Sequence, residues 1–170
     1  MQKILLALFI ILTSSLSLHA QVSNFKDKLI AADSVVIVSH DYGYKINKNG
    51  KSGYWVRFVE KDSLNFKSVK ERIKLDKSSV IHLYDSLTYS TTSDIESVSC
   101  YNPHHALLLY QKGQCYVVDI CLQCRNYTIS KDLTLPPGLL SNYKTWGKFR
   151  DFLSELNITY EIPATGKYGY

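Results

Sequence analysis

Two apolar runs that flank Lys112-Gly113 constrain the fold of this chain more than any other feature. Residues 106–111 and 114–121 are rich in leucine, valine and tyrosine, and a two-residue connection that ends in glycine is typical of a β-hairpin. With this turn, paired positions add up to 225, so His105 faces Ile120 across the two strands. The segment therefore predicts an antiparallel pair with a defined register.

The same register gathers most of the cysteines at the open end of the hairpin. His104 comes to lie opposite Cys121, and continuing the ladder brings Cys100 alongside Cys124. Cys115 lies near the turn, at the other end. The sequence therefore predicts one cluster of thiol and imidazole groups, with Cys115 outside it.

The rest of the chain mixes strand and helix patterns, which predicts an α+β fold. Apolar or alternating runs predict strands, and apolar residues at helical spacing after Ser23, Asp76 and Ser141 or Asn142 predict three helices. The predicted strands are 35–38, 44–48, 54–61 and 67–75, and the first two helices are 24–32 and 77–88. We expect a largely antiparallel sheet with two or three helices packed on it, in a single domain over residues 21–170.

The N-terminus predicts export. Residues 1–20 combine a positive Lys3, an apolar run over 4–12 and small residues up to Ala20, which is the pattern of a secretory signal peptide. The apolar run is shorter than the ~20 residues that a membrane span needs, so we expect no membrane span once the signal is cleaved. The expected destination is periplasmic, cell-surface or secreted.

The charge balance does not call for a nucleic-acid partner. The formal net charge is +5 at pH 7, and the chain has no long basic run. In the densest basic segment, Lys70, Arg72 and Lys74 share one strand face, while Ile73 and Leu75 share the other. We interpret the basic side chains as the solvated face of a half-buried strand.

Two short motifs resemble known sites but lack what the chemistry needs. Ser39-His40-Asp41 has the residue types of a hydrolase triad, yet adjacent strand residues point to opposite faces and cannot relay a proton. Gly50-Lys51-Ser52 resembles the end of a phosphate-binding loop, but Lys45 stands where the first glycine is required. Neither motif predicts a site.

The cysteine cluster has three interpretations. Because exported proteins usually oxidise their cysteines, a disulfide from Cys100 to Cys121 or Cys124 is the first, and it would staple the domain without any cofactor. The second is a tetrahedral zinc site made by those three cysteines with His104 or His105. One C-x-x-C pair is only half of a strong zinc signature, and oxidation competes for the thiolates.

The third interpretation is chemistry at a thiol. Cys121-Leu-Gln-Cys124 has the spacing of a redox pair, but such pairs normally begin a helix, and this one ends a predicted strand. A cysteine–histidine nucleophile would also need an orienting carboxylate, for which Asp119 is the obvious candidate.

The cysteine segment resembles a group of uncharacterised exported bacterial proteins that share a C-Y-x-P-R-H segment, a hairpin and then I-C-x-x-C. Here the motifs read Cys100-Tyr-Asn-Pro-His-His105 and Ile120-Cys-Leu-Gln-Cys124, so His104 replaces the arginine of the group. The likeness covers about 25 of the 150 residues that follow the predicted signal. It implies an exported domain, implies no activity, and leaves Cys115 outside the shared pattern.

The expected function is binding. The chain contains 13 tyrosines, which offer large amphipathic contact surfaces at low entropic cost. We therefore expect a disulfide-stabilised interaction domain for a protein or small-molecule partner, with no cofactor. The alternative is a zinc- or thiol-dependent protein that uses the cluster of Cys100, His105, Cys121 and Cys124.

Overall fold

The structure of the chain is a computed structural model. It describes residues 23–47, 52–60, 63–89, 100–135, 139–140 and 142–164. The predicted signal peptide at 1–20 and the Asn49-Gly50 turn lie outside these residues.

A five-stranded antiparallel sheet forms the centre of the domain. The strands are β2 (Ser34–His40), β7 (Val69–Lys74), β8 (His105–Gln111), β9 (Gln114–Cys121) and β10 (Asn126–Ile129). Their order in the sheet is β10-β9-β8-β2-β7, and each neighbouring pair is antiparallel. Together with the helices, this sheet confirms the predicted α+β architecture.

Three helices supply the apolar layer on one face of the sheet, within the described part of the chain. They are α1 (Phe25–Ile30), α2 (Lys77–Leu87) and α3 (Tyr143–Glu155). Leu83, Trp146 and Phe149 are fully buried in one cluster with Ile37 and Leu107 of the sheet. Each such side chain stabilises the fold by ~1.5–3 kcal/mol. None of these helices is long and apolar enough to cross a bilayer.

The predicted helix starts after Asp76 and Asn142 are confirmed. The Asp76 carboxylate accepts a hydrogen bond of 2.7 Å from the backbone N–H of Ser79, and Asn142 accepts one of 2.9 Å from Thr145. These side chains satisfy backbone donors that the first helical turn leaves unpaired.

The register predicted for the β8–β9 hairpin is also confirmed. His105 pairs with Ile120, and Gln111 pairs with Gln114. Lys112 and Gly113 both have positive φ, at 49° and 78°, which a two-residue turn of the right twist requires.

Phe58 and a short hairpin after it cover the second face of the sheet. Here the structure differs from the strand that the sequence predicts. The expected strand over 54–61 is interrupted: β4 (Gly53–Val56) ends early, and β5 (Val59–Glu60) then pairs with β6 (Ser63–Leu64). The break allows Phe58 to turn inward, where it is fully buried against Val38 and Leu108. We call β5–β6 the cap hairpin.

The remaining strands form two small pairs outside the central sheet. β3 (Gly43–Ile46) pairs with β4 in an antiparallel hairpin, which we call the aromatic hairpin. β1 (Ser23–Asn24) pairs in parallel with β11 (Leu133–Thr134). A 3₁₀ turn at Phe66–Ser68 leads into β7, so the strand predicted over 67–75 begins slightly later.

Candidate functional site

A buried histidine–carboxylate pair joins two central strands. Nε2 of His40, at the end of β2, lies 3.0 Å from Oδ1 of Asp119 in β9. His40 is fully buried and Asp119 is only 5% exposed. Both side chains lie on the same face of the sheet: Asp119 pairs with Ala106, Ala106 pairs with Val38, and His40 follows Val38 at the two-residue spacing that keeps a face. We call this contact the buried pair.

The surroundings of His40 fix its ring from every side. Its Nδ1 lies 3.2 Å from the carbonyl oxygen of Asp41, so both ring nitrogens face oxygen acceptors. The ring can donate to both only when it is doubly protonated. Phe58 stacks on the imidazole at a ring-centroid distance of 4.8 Å, which closes the site from the cap side.

His104 supports the end of β2 through a fixed tautomer. Its Nδ1 lies 3.1 Å from the carbonyl oxygen of His40 and must donate to it, while Nε2 lies 3.1 Å from the amide nitrogen of Asn102 and must accept. The backbone N–H of His40 donates in return to the carbonyl of His104, at 2.8 Å. Both nitrogens of His104 are therefore engaged within the protein.

His105 lies on the helical face, away from its neighbour. Its Nε2 donates to the carbonyl oxygen of Tyr160 at 2.9 Å, and its Nδ1 is buried without a partner. Burial lowers the pKa of His105 to about 3, so the ring is neutral at physiological pH. The two histidines that the sequence offered as alternative metal ligands thus point to opposite sides of the sheet.

The cysteines divide into one bonded pair and two free thiols. Cys121 and Cys124 form a disulfide across Cα atoms 5.3 Å apart, and both are buried. Cys100 is free and exposed, and Cys115 is free and half-buried, so the expected bond from Cys100 is not the one that forms. The turn after β9 explains the choice, because it returns the N–H of Cys124 to within 3.1 Å of the Cys121 sulfur.

The zinc hypothesis finds no assembled ligand set in the described ranges. No group of three or more His, Cys, Asp or Glu side chains is arranged there to hold a metal ion. The hypothesis remains a prediction from the sequence.

A cleft of about 630 Å³ lies between the cap hairpin and the β9–β10 edge of the sheet. Cys115, Val117 and Asp119 alternate along β9 and line it in a row, and Val59 and Leu64 face them from the cap. At ~3.3 Å per residue, the row is about 13 Å long. The other lining residues are Gln114, Tyr116, Thr128, Ile129, Ser130, Lys131 and Asp132.

Tyr101 secures the Asp119 end of the cleft. Its hydroxyl donates to the carbonyl oxygen of Asp119 at 3.0 Å and shares a hydrogen bond of 2.8 Å with the hydroxyl of Thr128. Burial and the nearby charge of Asp119 raise the pKa of the phenol, which keeps it protonated. The tyrosine of the C-Y-x-P segment thus links β9 to β10.

A second polar network ties the C-terminal segment to the sheet. The Asp41 carboxylate binds Lys70 at 2.7 Å and Lys45 at 3.3 Å, and it accepts the hydroxyl of Tyr160. Burial alone would raise the pKa of Asp41, but these hydrogen bonds outweigh it and lower the pKa to about 2. Asp41 is therefore a neutralised anchor rather than a free charge.

Sequence reasoning missed His40 as part of the site. It correctly separated the faces of the Ser39-His40-Asp41 triplet, since the Ser39 hydroxyl donates to Glu71 at 2.6 Å while His40 turns to Asp119. The available signal was that His40 ends one apolar run and that Asp119 lies inside another. Nothing in the sequence states that these two strands lie close enough for the side chains to meet.

The comparisons with known proteins supply no further guide to this site. The chain matches no protein-family model, no curated protein and no solved structure.

Proposed function

We propose that this protein is a binding domain that takes a small amphipathic ligand in the cleft beneath the cap hairpin. The position of Asp119 carries the proposal: its carboxylate is almost buried and yet lines the cleft. A cleft of about 630 Å³ is within the volume range of small-molecule sites, and its lining mixes apolar side chains with polar and charged ones.

The middle of the cleft suits an apolar stem. Val117 lies on the sheet side, and Val59 and Leu64 lie on the cap side. A stem between these walls would be removed from water on both of its faces. This transfer of apolar surface out of water is the favourable term in such binding.

The Asp119 end suits a hydrogen-bond donor, such as an ammonium group. A carboxylate has about four acceptor positions. The buried pair uses one oxygen through His40, and Tyr101 lies beside it. Capacity therefore remains on the side that faces the cleft, and a negatively charged head would be repelled there.

The site is also held rigid before any ligand enters. His40, Tyr101 and the disulfide that follows β9 all restrain the strand that carries Asp119. Preorganisation of this kind reduces the entropy lost on binding.

The half-buried thiol of Cys115 gives a direct test. We would measure the rates at which iodoacetamide alkylates Cys115 and the exposed Cys100 as hexylammonium is added, with hexanoate as the matched control. Hexylammonium is expected to slow alkylation of Cys115 in a saturable manner while Cys100 reacts unchanged. Hexanoate, with the same stem and an anionic head, is expected to have no effect.

Two variants localise the effect. Leu64→Trp should fill the cleft from the cap side and abolish protection, whereas Ile81→Trp on the exposed face of α2 should preserve it. Equal protection by both probes, or protection that survives Leu64→Trp, would overturn the proposed site.

We also propose that the protein works after export. The buried Cys121–Cys124 disulfide supports this, because such bonds persist in oxidising compartments. Fractionation of cells that produce the full chain, followed by N-terminal sequencing, tests it: the proposal requires a mature N-terminus close to Gln21.

A further inference from the structure

The aromatic hairpin exposes large apolar side chains on both of its faces. Tyr44 and Trp55 form a cross-strand pair on one face, and Tyr54 lies opposite Lys45 on the other. Tyr44, Tyr54 and Trp55 are each more than half exposed, and Ile46 is 67% exposed. Scattered exposed residues are ordinary, but four on one short hairpin indicate a contact surface.

The hairpin is a supported element. Trp55 makes edge-to-face contacts with both Tyr44 and Tyr42, and Tyr42 in turn contacts His104 beside the buried pair. This aromatic chain fixes the base of the hairpin to the core while its outer residues remain exposed.

The charge around these aromatic residues is positive. The guanidinium of Arg57 lies 5.5 Å from the centre of the Trp55 ring, and Lys45 lies on the hairpin itself. The sequence from residue 42 to 59 contains no aspartate or glutamate. Asp41, at the base, contributes one negative charge against the two positive charges of Lys45 and Lys70 that bind it, so this group keeps a net positive charge.

We propose that the aromatic hairpin inserts into the interface of an anionic lipid membrane. Aromatic side chains with polar tips favour the headgroup region, and basic residues add attraction to anionic lipids. A flat protein partner would cover one face, whereas a lipid interface can surround both Trp55 and Tyr54. Exposed Ile46 favours lipid over a nucleic acid or polysaccharide, because an aliphatic side chain offers neither stacking nor a hydrogen bond.

Tryptophan fluorescence tests the proposal directly. The chain has two tryptophans, and Trp146 is fully buried, so a change in emission reports Trp55. We would titrate the protein with vesicles of pure phosphatidylcholine and with vesicles that also contain phosphatidylglycerol, and would measure co-sedimentation in parallel. The expected result is a blue shift and pelleting with the anionic vesicles, independent of any ligand in the cleft.

Matched variants separate insertion from nonspecific attraction. Ile46→Ser is expected to weaken partitioning by about tenfold, since it removes the aliphatic side chain that the membrane interface would bury. Ile81→Ser, at a similarly exposed isoleucine on α2, is expected to leave it unchanged. Arg57→Gln should weaken binding to anionic vesicles by about fivefold.

Three results would overturn the proposal. One is that neither kind of vesicle produces a blue shift. Another is that Ile46→Ser and Ile81→Ser lose binding equally. The third is heparin binding as tight as vesicle binding and indifferent to Ile46→Ser, which would identify a polyanion site instead.

Discussion

The imidazole of His40 lies 3.0 Å from the carboxylate of Asp119, although 79 residues separate them in the chain. This contact joins β2 to β9 across the intervening β8 strand, on the face that the cap covers. It is also the point where the core reaches the cleft, because Asp119 belongs to both. Under the proposed function, stability and ligand binding are therefore linked at one side chain.

We expect His40 and Asp119 to be energetically coupled. Replacing either one with alanine leaves its partner buried alone, which costs ~3–5 kcal/mol of unfolding free energy. The double variant should cost much less than the sum of the two. Urea denaturation of the four proteins measures the coupling.

His82→Ala serves as the control for this cycle. The His82 side chain is 56% exposed, so its loss should change stability by less than about 0.5 kcal/mol. Additive costs for His40→Ala and Asp119→Ala would show that the buried pair does not act as a unit.

The Asp41 network predicts a specific acid sensitivity. The pKa of Asp41 falls from 3.8 to about 2 in the folded protein, so the stabilisation it gives is complete above pH 3.8 and is lost as pH falls toward 2. With allowance for solvent screening at this partly exposed site, the contribution is about 1 kcal/mol. Asp41→Asn should therefore narrow the stability difference between neutral and acidic pH.

The measurement compares urea unfolding of wild type and Asp41→Asn at neutral pH and again below pH 3.8. Tyr160→Phe removes one hydrogen bond to the same carboxylate and should give a smaller change in the same direction. An identical pH dependence in all three proteins would contradict the assigned role of Asp41.

Local signals in the sequence were sufficient for the register of one hairpin and for the starts of two helices. The Lys112-Gly113 turn set the register of β8 and β9, and the caps at Asp76 and Asn142 set the starts of two helices. In each case the determining contacts lie within a few residues of one another.

The features that were missed depend on tertiary contacts. The alternating pattern around Phe58 does not form one strand. Burial of the Phe58 side chain against the sheet stabilises the fold more than a longer strand would. The His40–Asp119 contact required knowledge of which strands are neighbours. Similarly, the choice of Cys121 with Cys124 depended on the turn after β9, since spacing alone allowed several pairings.

The β8–β9 turn is open to improvement as well as damage. Lys112 has a φ of 49°, which costs a lysine more than an asparagine, so Lys112→Asn should stabilise the protein by roughly 0.5 kcal/mol. Gly113 has a φ of 78°, and Gly113→Ala should destabilise by about 1 kcal/mol. Thermal unfolding measures both, and shifts of the same sign would refute this account of the turn.

The disulfide assignment predicts a distinctive labelling pattern. Cys100 and Cys115 are the free thiols, so alkylation in denaturant should add two groups before reduction and four after it. The Cys121–Cys124 bond closes a very short loop, so it stabilises the folded protein by ~2 kcal/mol in the chain-entropy model. Replacing both Cys121 and Cys124 with serine should cost that amount, whereas Cys100→Ser at its exposed position should cost little. Metal analysis of protein purified without chelators completes the test. One zinc per chain with three protected thiols would contradict the disulfide assignment and would support the metal site that the sequence also allowed.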